Sequence, residues 1–280
     1  MKPAPFELRR PTTLDEALDL LAALGSDAQV LAGGQSLLPL LRYRMASPHA
    51  LLDINRIEAL GQMEWHQGLR IGALVRHSQL AAVHSAQHPA AAALLAAHAR
   101  QIAFPAVRNR GTAVGSIVQA DPKGDWPLLF CALGAQIELV SKRGMRRMAV
   151  HDFILGPLHT ARAVDELAVA LTLDTVDIQL HRWGRAKLMH RAGEYAMCSA
   201  IVVQRADGWR CWVGAHGERP VALPTLAESL QTSTRMPRER WMDLARQDIA
   251  AAWPELGLLD AHRHAVNAID ALQQALAPQS

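Results

Sequence analysis

The stretch Val30-Leu31-Ala32-Gly33-Gly34-Gln35-Ser36-Leu37-Leu38-Pro39-Leu40 constrains this chain more than any other. The apolar run Ala28 to Leu31 predicts a short strand, two glycines interrupt it, and Leu37 to Arg42 predicts a helical turn. A strand that turns through glycines into a helix start presents free backbone N–H groups to an anion. With no Cβ at Gly33 and Gly34, a phosphate can lie against the backbone and positive φ is allowed. Ser36 can cap the following turn or donate its hydroxyl to a phosphate oxygen. An ordinary Gly-Gly turn between strand and helix satisfies the same letters, so this segment needs a second one beside it.

A chain of 280 residues, half of them apolar and 20% charged, has the profile of a globular protein with a real core in one large or several small domains. No apolar run is long enough to span a bilayer without an interrupting Arg, His, Gly or Pro, so no transmembrane segment is expected. Met1-Lys2-Pro3-Ala4-Pro5-Phe6-Glu7 lacks the apolar core of a signal peptide, and a cytoplasmic location is expected. Cys131, Cys198 and Cys211 are an odd set at wide spacing without a CxxC, so neither a zinc site nor a local iron–sulfur cluster is expected. The formal charge of +3 is carried partly by Arg108-Asn109-Arg110 and by Lys142-Arg143-Gly144-Met145-Arg146-Arg147. These clusters are short and lack interleaved aromatics, which points to a solvated face or a subunit contact and not to nucleic acid.

In chain order, Phe6 to Arg9 predicts a strand. Thr13 with Glu16 three residues on opens a helix whose stripe is Leu14, Leu18, Leu21 and Leu24. Ala50 to Ile54 predicts a strand that closes a first lobe near residue 56. A second lobe starts with the strand Gly68 to Ala73, then a helix capped by Ser78 and a buried alanine-rich helix from Pro89 to Arg100. The second informative stretch is Val107-Arg108-Asn109-Arg110-Gly111-Thr112-Ala113-Val114-Gly115-Ser116-Ile117-Val118-Gln119-Ala120-Asp121-Pro122. There a small-residue loop leads to a strand expected over Ser116 to Gln119. Asp125-Trp126-Pro127 introduces a helix over Leu128 to Leu133. A hairpin over Ala135 to Val140 and Met148 to Val150 and a strand over Glu166 to Leu173 follow. Strands over Asp177 to Trp183, Ala196 to Gln204 and Trp209 to Ala215, with Asp207-Gly208 as a hairpin turn, precede helices over Thr225 to Leu230, Arg238 to Ala252 and Asp260 to Leu276. The expected class is α+β.

Ala32-Gly33-Gly34-Gln35-Ser36-Leu37-Leu38-Pro39-Leu40-Leu41, Leu52-Asp53-Ile54-Asn55-Arg56-Ile57 and Arg108-Asn109-Arg110-Gly111-Thr112-Ala113-Val114-Gly115-Ser116 together resemble the FAD-binding medium subunit of the molybdenum hydroxylases. That family includes carbon monoxide dehydrogenase and xanthine dehydrogenase. Ala120-Asp121-Pro122, Asp125-Trp126-Pro127 and Arg191-Ala192-Gly193-Glu194-Tyr195-Ala196 extend the likeness over nearly the whole chain. The resemblance implies a two-lobed FAD-binding domain of the vanillyl-alcohol-oxidase-like type, with lobes at residues 1–56 and 57–175, and then a C-terminal domain of antiparallel sheet plus helices at 176–280. Ala32, Gly33, Gly34, Gln35, Ser36 and Leu37 would face Thr112, Ala113, Val114, Gly115 and Ser116 across the FAD pyrophosphate. Asp125 would accept hydrogen bonds from ribityl hydroxyls, or else cap the helix that begins beside it. Lys187 stands where the family often has a basic residue near the flavin ring, although a surface lysine is the simpler reading. Tyr195 would stack over or flank the isoalloxazine, with a core tyrosine as the competing role. One departure stands out: the family's second loop usually reads Thr-Ile-Gly-Gly, and Val114 replaces the first of those glycines.

The function implied is electron transfer. Hydroxylation would take place on a molybdopterin cofactor in a large partner chain. Electrons would pass through 2Fe–2S clusters in a small iron–sulfur chain to the FAD held here, and then to an external acceptor. One copy of each of three chains, commonly doubled, is the implied assembly. No nucleophile or acid–base constellation in this chain competes with that role, and His262-Arg263-His264 lacks metal-ligand spacing. Two alternatives are a chain whose altered second loop has lost FAD and which serves assembly alone, and a self-sufficient flavin oxidoreductase sharing the two-loop FAD lobe, against which the C-terminal domain resembles the short form of the hydroxylases.

Overall fold

The computed structural model describes residues 2–278; Met1, where the stretch read for a signal peptide begins, lies outside them. Among the described residues, three sheets and a two-stranded ribbon carry the fold. Strands β1 (Glu7–Arg9), β2 (Ala28–Leu31) and β3 (Ala50–Asp53) form a sheet in the order β1-β3-β2 with both pairings parallel. The crossover from β1 uses the helix Leu14–Leu24. Its first turn is held by the Thr13 hydroxyl, which accepts from the Glu16 N–H at 3.2 Å, while the Glu16 carboxylate reaches back to the Thr12 N–H at 2.8 Å. Leu18 and Leu21 of the expected stripe are buried, and so is Ala17 beside them on the same face.

Strands β4 (Met63–His66) and β5 (Gly68–Gly72) open the second sheet, and the hairpin β6 (Gln136–Ser141) and β7 (Gly144–Ala149) extends it. After the two-stranded ribbon β8 (Ile154–Gly156) and β9 (His159–Thr160), strand β10 (Leu167–Asp174) inserts between β5 and β6. The order is therefore β4-β5-β10-β6-β7, all antiparallel. The third sheet, β11 (Leu180–Leu188), β12 (Cys198–Arg205), β13 (Gly208–Gly214) and β14 (Val221–Ala222), is an antiparallel meander. It is followed by the helices Pro224–Thr232, Arg238–Ala252 and Leu258–Leu276. The class is α+β.

Strand β12 joins the two cores. Side chains alternate across a strand, and here Ile201 and Val203 enter the core shared by the first two sheets, while Ala200 and Val202 enter a second core under the three C-terminal helices. Burial on both faces explains why this strand reads as a continuous apolar run. At its end Arg205 is buried, donating to the Leu133 carbonyl at 2.8 Å and to the carboxylates of Asp177 and Asp207. The third sheet is thereby tied to the helix Asp125–Leu133.

The structure departs from the sequence expectations in several places, among them the second hairpin strand, which runs Gly144–Ala149 and not Met148 to Val150. Ser116 to Gln119 is not a strand: Ala113–Gln119 is helical. The β-branched pair Ile117-Val118 suggested a strand, but Thr112 caps a helix there and the buried residues Ala113, Val114 and Ile117 lie on one helical face. The helix after β5 runs from His77 to Ala81 with Arg76, not Ser78, at its cap, because Gln79 accepts the Arg76 N–H at 2.7 Å. Asp177 belongs to the helical turn Thr175–Ile178, and the strand after it begins at Leu180. Most of the basic run 142–147 is held in ion pairs: Lys142 with Asp19, Arg143 with Asp165, Arg146 with Glu166 and Arg147 with the buried Glu138.

Among the described residues, no helix is long and apolar enough to cross a membrane. Cys131, Cys198 and Cys211 are free and buried, and burial pushes the Cys131 thiol up to about 12 and that of Cys198 up to about 11.

Candidate functional site

Parallel pairing of β2 with β3, ending at Leu31 opposite Asp53, carries the chain off the first sheet at Ala32. Gly33 then passes directly against the second informative loop. A Cβ on Gly33 would collide with the Arg110 carbonyl oxygen and stand 2.8 Å from the Gly111 Cα. The two loops thus touch backbone to backbone, which only glycine permits. Gly34 follows with φ of 74°, and Ser36 heads the helix Leu37–Arg42 without making a side-chain cap. Among the described residues, the N–H groups of Gly33, Gly34, Gln35 and Ser36 have no hydrogen-bond acceptor. Unpaired backbone donors of this kind are free to bind an anion.

The second loop is built differently. Thr112 is a full N-cap, its hydroxyl accepting from the Gly115 N–H at 3.1 Å. Helical geometry then leaves the Val114 N–H without an intrahelical acceptor, while the bridge between Arg76 and Thr112 turns the Ala113 N–H toward the backbone before Arg76. Val114 stands in this helical turn, so its backbone has no positive φ to adopt, and its isopropyl group is part of the core at 2% exposure.

Both loops border a cleft of about 730 Å³, within the ordinary range for a cofactor site of roughly 300–1,000 Å³. Ala32, Gly33, Gly34, Gln35, Ser36 and Leu37 line it, as do Thr112, Val114, Gly115, Ser116, Asp125 and Tyr195. Ala113 and Lys187 do not. Ala113 is turned into the core at 1% exposure. Lys187 lies behind Asp125 with its side chain 2% exposed, so the surface reading of this lysine is wrong. Strand β11 passes over the helix Pro89–Arg100, and the ammonium is caught between them, 2.8 Å from Asp125 Oδ1 and 3.3 Å from the Gln101 carbonyl.

Asp125 is not a cap either. Gly124 occupies the cap and Asp125 is the first helical residue, where a carboxylate also complements the helix dipole. Burial pushes the Asp125 carboxyl above its usual value, against the pull of Lys187. Tyr195 keeps 60% of its surface exposed at the mouth of the cleft. Partial burial, with the charge of Asp121 and the hydrogen bond its hydroxyl donates to that carboxylate, pushes its phenol up to about 12. It is a rim residue, not a core tyrosine.

Several residues of the site escaped the sequence reading. His77 lines the cleft beside the second loop, and its Nδ1 accepts the Trp126 indole N–H at 3.0 Å. Burial, reinforced by Arg76 and Arg108, lowers the imidazole to about 4, so His77 is neutral with its proton on Nε2. Phe104 and Asp121 complete the wall near Tyr195. Asn55 belongs to the motif Leu52-Asp53-Ile54-Asn55-Arg56-Ile57, and the sequence alone points to no role for it. Nothing in the local sequence marks Arg76 or His77, whose partners lie dozens of residues away.

Residues 4–173 match the family described as FAD binding domain in molybdopterin dehydrogenase. This chain belongs to the FAD-binding medium subunits of the molybdenum hydroxylase family. It is 38% identical over 209 residues to the carbon monoxide dehydrogenase medium chain of Hydrogenophaga pseudoflava, covering 74% of this chain and 72% of that one. With the nicotine 6-hydroxylase medium subunit of Paenarthrobacter nicotinovorans the identity is 33%, with the same coverage. The carbon monoxide dehydrogenase structure from Hydrogenophaga pseudoflava superposes with a TM-score of 0.88 at 30% identity, covering 99% of both chains. Quinoline 2-oxidoreductase from Pseudomonas putida 86 gives 0.87 at 28% identity, covering 99% and 100%. The donor set fits FAD: the unpaired N–H groups suit a diphosphate, and the cleft continues past Asp125 to the aromatic rim at Phe104 and Tyr195.

Proposed function

We propose that this medium subunit carries FAD as the electron-transfer component of a heteromeric molybdenum hydroxylase. The reading rests on one observation above the others: two contacting loops that direct unpaired N–H groups into a cleft large enough for a dinucleotide. Bound FAD would supply the redox chemistry, taking electrons from a donor and handing them on.

The residues of the chain bind and orient. Gly33, Gly34, Gln35 and Ser36 donate backbone hydrogen bonds to one side of the pyrophosphate, and the first turn after Thr112 donates from the other. Converging peptide dipoles serve in place of a lysine or metal. Asp125 accepts from ribityl hydroxyls, kept in place by Lys187, which acts from behind the carboxylate. Tyr195 flanks the ring at the mouth, where its exposed face governs access. Residues 1–56 and 57–175 would be the two vanillyl-alcohol-oxidase-like lobes and 176–280 the C-terminal domain. The partners would be a small chain with 2Fe–2S clusters and a large chain with molybdopterin, assembled as a doubled heterotrimer. A cytoplasmic setting would keep the three thiols reduced.

Reduction kinetics of the assembled complex test this reading. Substrate of the large chain should bleach the flavin of the complex, and removal of the iron–sulfur chain should abolish that bleaching. Bleaching of the isolated chain by the same substrate would identify a self-sufficient oxidoreductase instead and overturn the proposal.

A further inference from the structure

The two glycine loops are held together from behind by a pair of side chains that line neither of them. Asn55, just past the end of β3, donates from Nδ2 to the Ala32 carbonyl at 2.8 Å. Arg76, at the cap of the helix His77–Ala81, donates from Nη1 to the Arg110 carbonyl at 2.6 Å. The two side chains are joined by Arg76 Nη2 donating to Asn55 Oδ1 at 2.5 Å. Asp53 accepts from both the Asn55 side chain, at 2.6 Å, and its N–H, at 3.1 Å. These partners fix the amide orientation, because a flipped Asn55 would set its NH2 against a guanidinium and its oxygen against two acceptors. The backbone adds a further tie: the His77 N–H donates to the Gly111 carbonyl at 3.0 Å.

We propose that Arg76 and Asn55 act as one clamp that positions the first and second loops for the FAD diphosphate. A peptide is planar and trans, so its C=O and N–H point in opposite directions. Holding the Ala32 carbonyl toward Asn55 aims the Gly33 N–H, which has no acceptor, away from Asn55 and into the cleft. The guanidinium bond to the Arg110 carbonyl holds the second loop at the point where Gly33 packs on it. A charge-assisted bond to a carbonyl also polarises that peptide. Arg76 is a positioning residue in this scheme, acting through backbone and not on the cofactor.

The inference rests on the FAD reading above, and one set of titrations separates the two. FAD is titrated into the flavin-stripped full chain and into its Arg76→Lys and Asn55→Ala variants, following quenching of flavin fluorescence, with thermal melts of each apo chain alongside. Lysine keeps the positive charge but cannot bridge Arg110 and Asn55. The clamp predicts a loss of affinity of roughly ten- to a hundred-fold in each variant, little further loss in the double variant, and apo melting close to wild type. Wild-type affinity in Arg76→Lys would reduce Arg76 to a diffuse positive charge and overturn the clamp. So would weakened binding that only follows unfolding of the apo chain at the assay temperature. A wild-type chain that takes up no FAD would refute the FAD reading itself, and the clamp with it.

Discussion

The first and second loops face the same cleft by opposite means. The first has no cap and no regular hydrogen bonding: Gly33 is required because another backbone lies against it, and Gly34 because its φ is positive. The second is a helix start, capped by Thr112, in which small residues and a valine coexist. A loop that obtains its free N–H groups from an irregular turn depends on glycine, whereas one that obtains them from a helix terminus tolerates a side chain. A side chain such as that of Val114 is therefore compatible with the second loop and would not be with the first.

Substitutions can break that contrast. The largest effect is expected for Gly33→Val, whose side chain would force the loops apart; purified protein should be folded by circular dichroism but nearly devoid of flavin. Val114→Gly should behave in the opposite way. It removes a buried side chain and adds a flexible residue to a helix, costing on the order of 2–3 kcal/mol in denaturant unfolding, while flavin bound per folded chain stays unchanged. A pronounced gain of FAD affinity in this variant would mean that the valine obstructs the site.

A subtler test concerns His77, which joins the second loop to Trp126. Its folded-state value of about 4 lies below the unfolded value of about 6.5. Between those values the unfolded chain binds the extra proton, so the stability it contributes is present above about pH 6.5 and is lost as pH falls toward 4. His77→Asn, which keeps an acceptor for the indole but cannot titrate, should flatten that part of the melting-temperature profile. The smallest effect is expected for Thr112→Ala, a lost cap of about 1 kcal/mol, with Thr112→Ser restoring most of it in the same unfolding assay.

Much of this was legible in the sequence, for reasons that differ by residue. Gly33-Gly34 and the strand before them announce a turn through local chemistry alone, and the capping at Thr13 is similarly local. The helix after Thr112 is hidden in the sequence because Ile117 and Val118 favour strands in isolation, while burial on one face and the Thr112 cap decide otherwise. Lys187 was invisible as a buried residue, since only the crossing of β11 over the helix Pro89–Arg100 covers it. The bonds joining Arg76 to Asn55 and to Arg110 span 21 and 34 residues, and no local pattern encodes them.

The most direct test of the account is the flavin content of the purified chain with its partners, read from the visible spectrum and from flavin released on denaturation. The two loops predict oxidised-flavin bands and about one FAD per chain, both lost in Gly33→Val. A colourless chain that still assembles and takes up no added FAD would contradict the account and leave this subunit a scaffold.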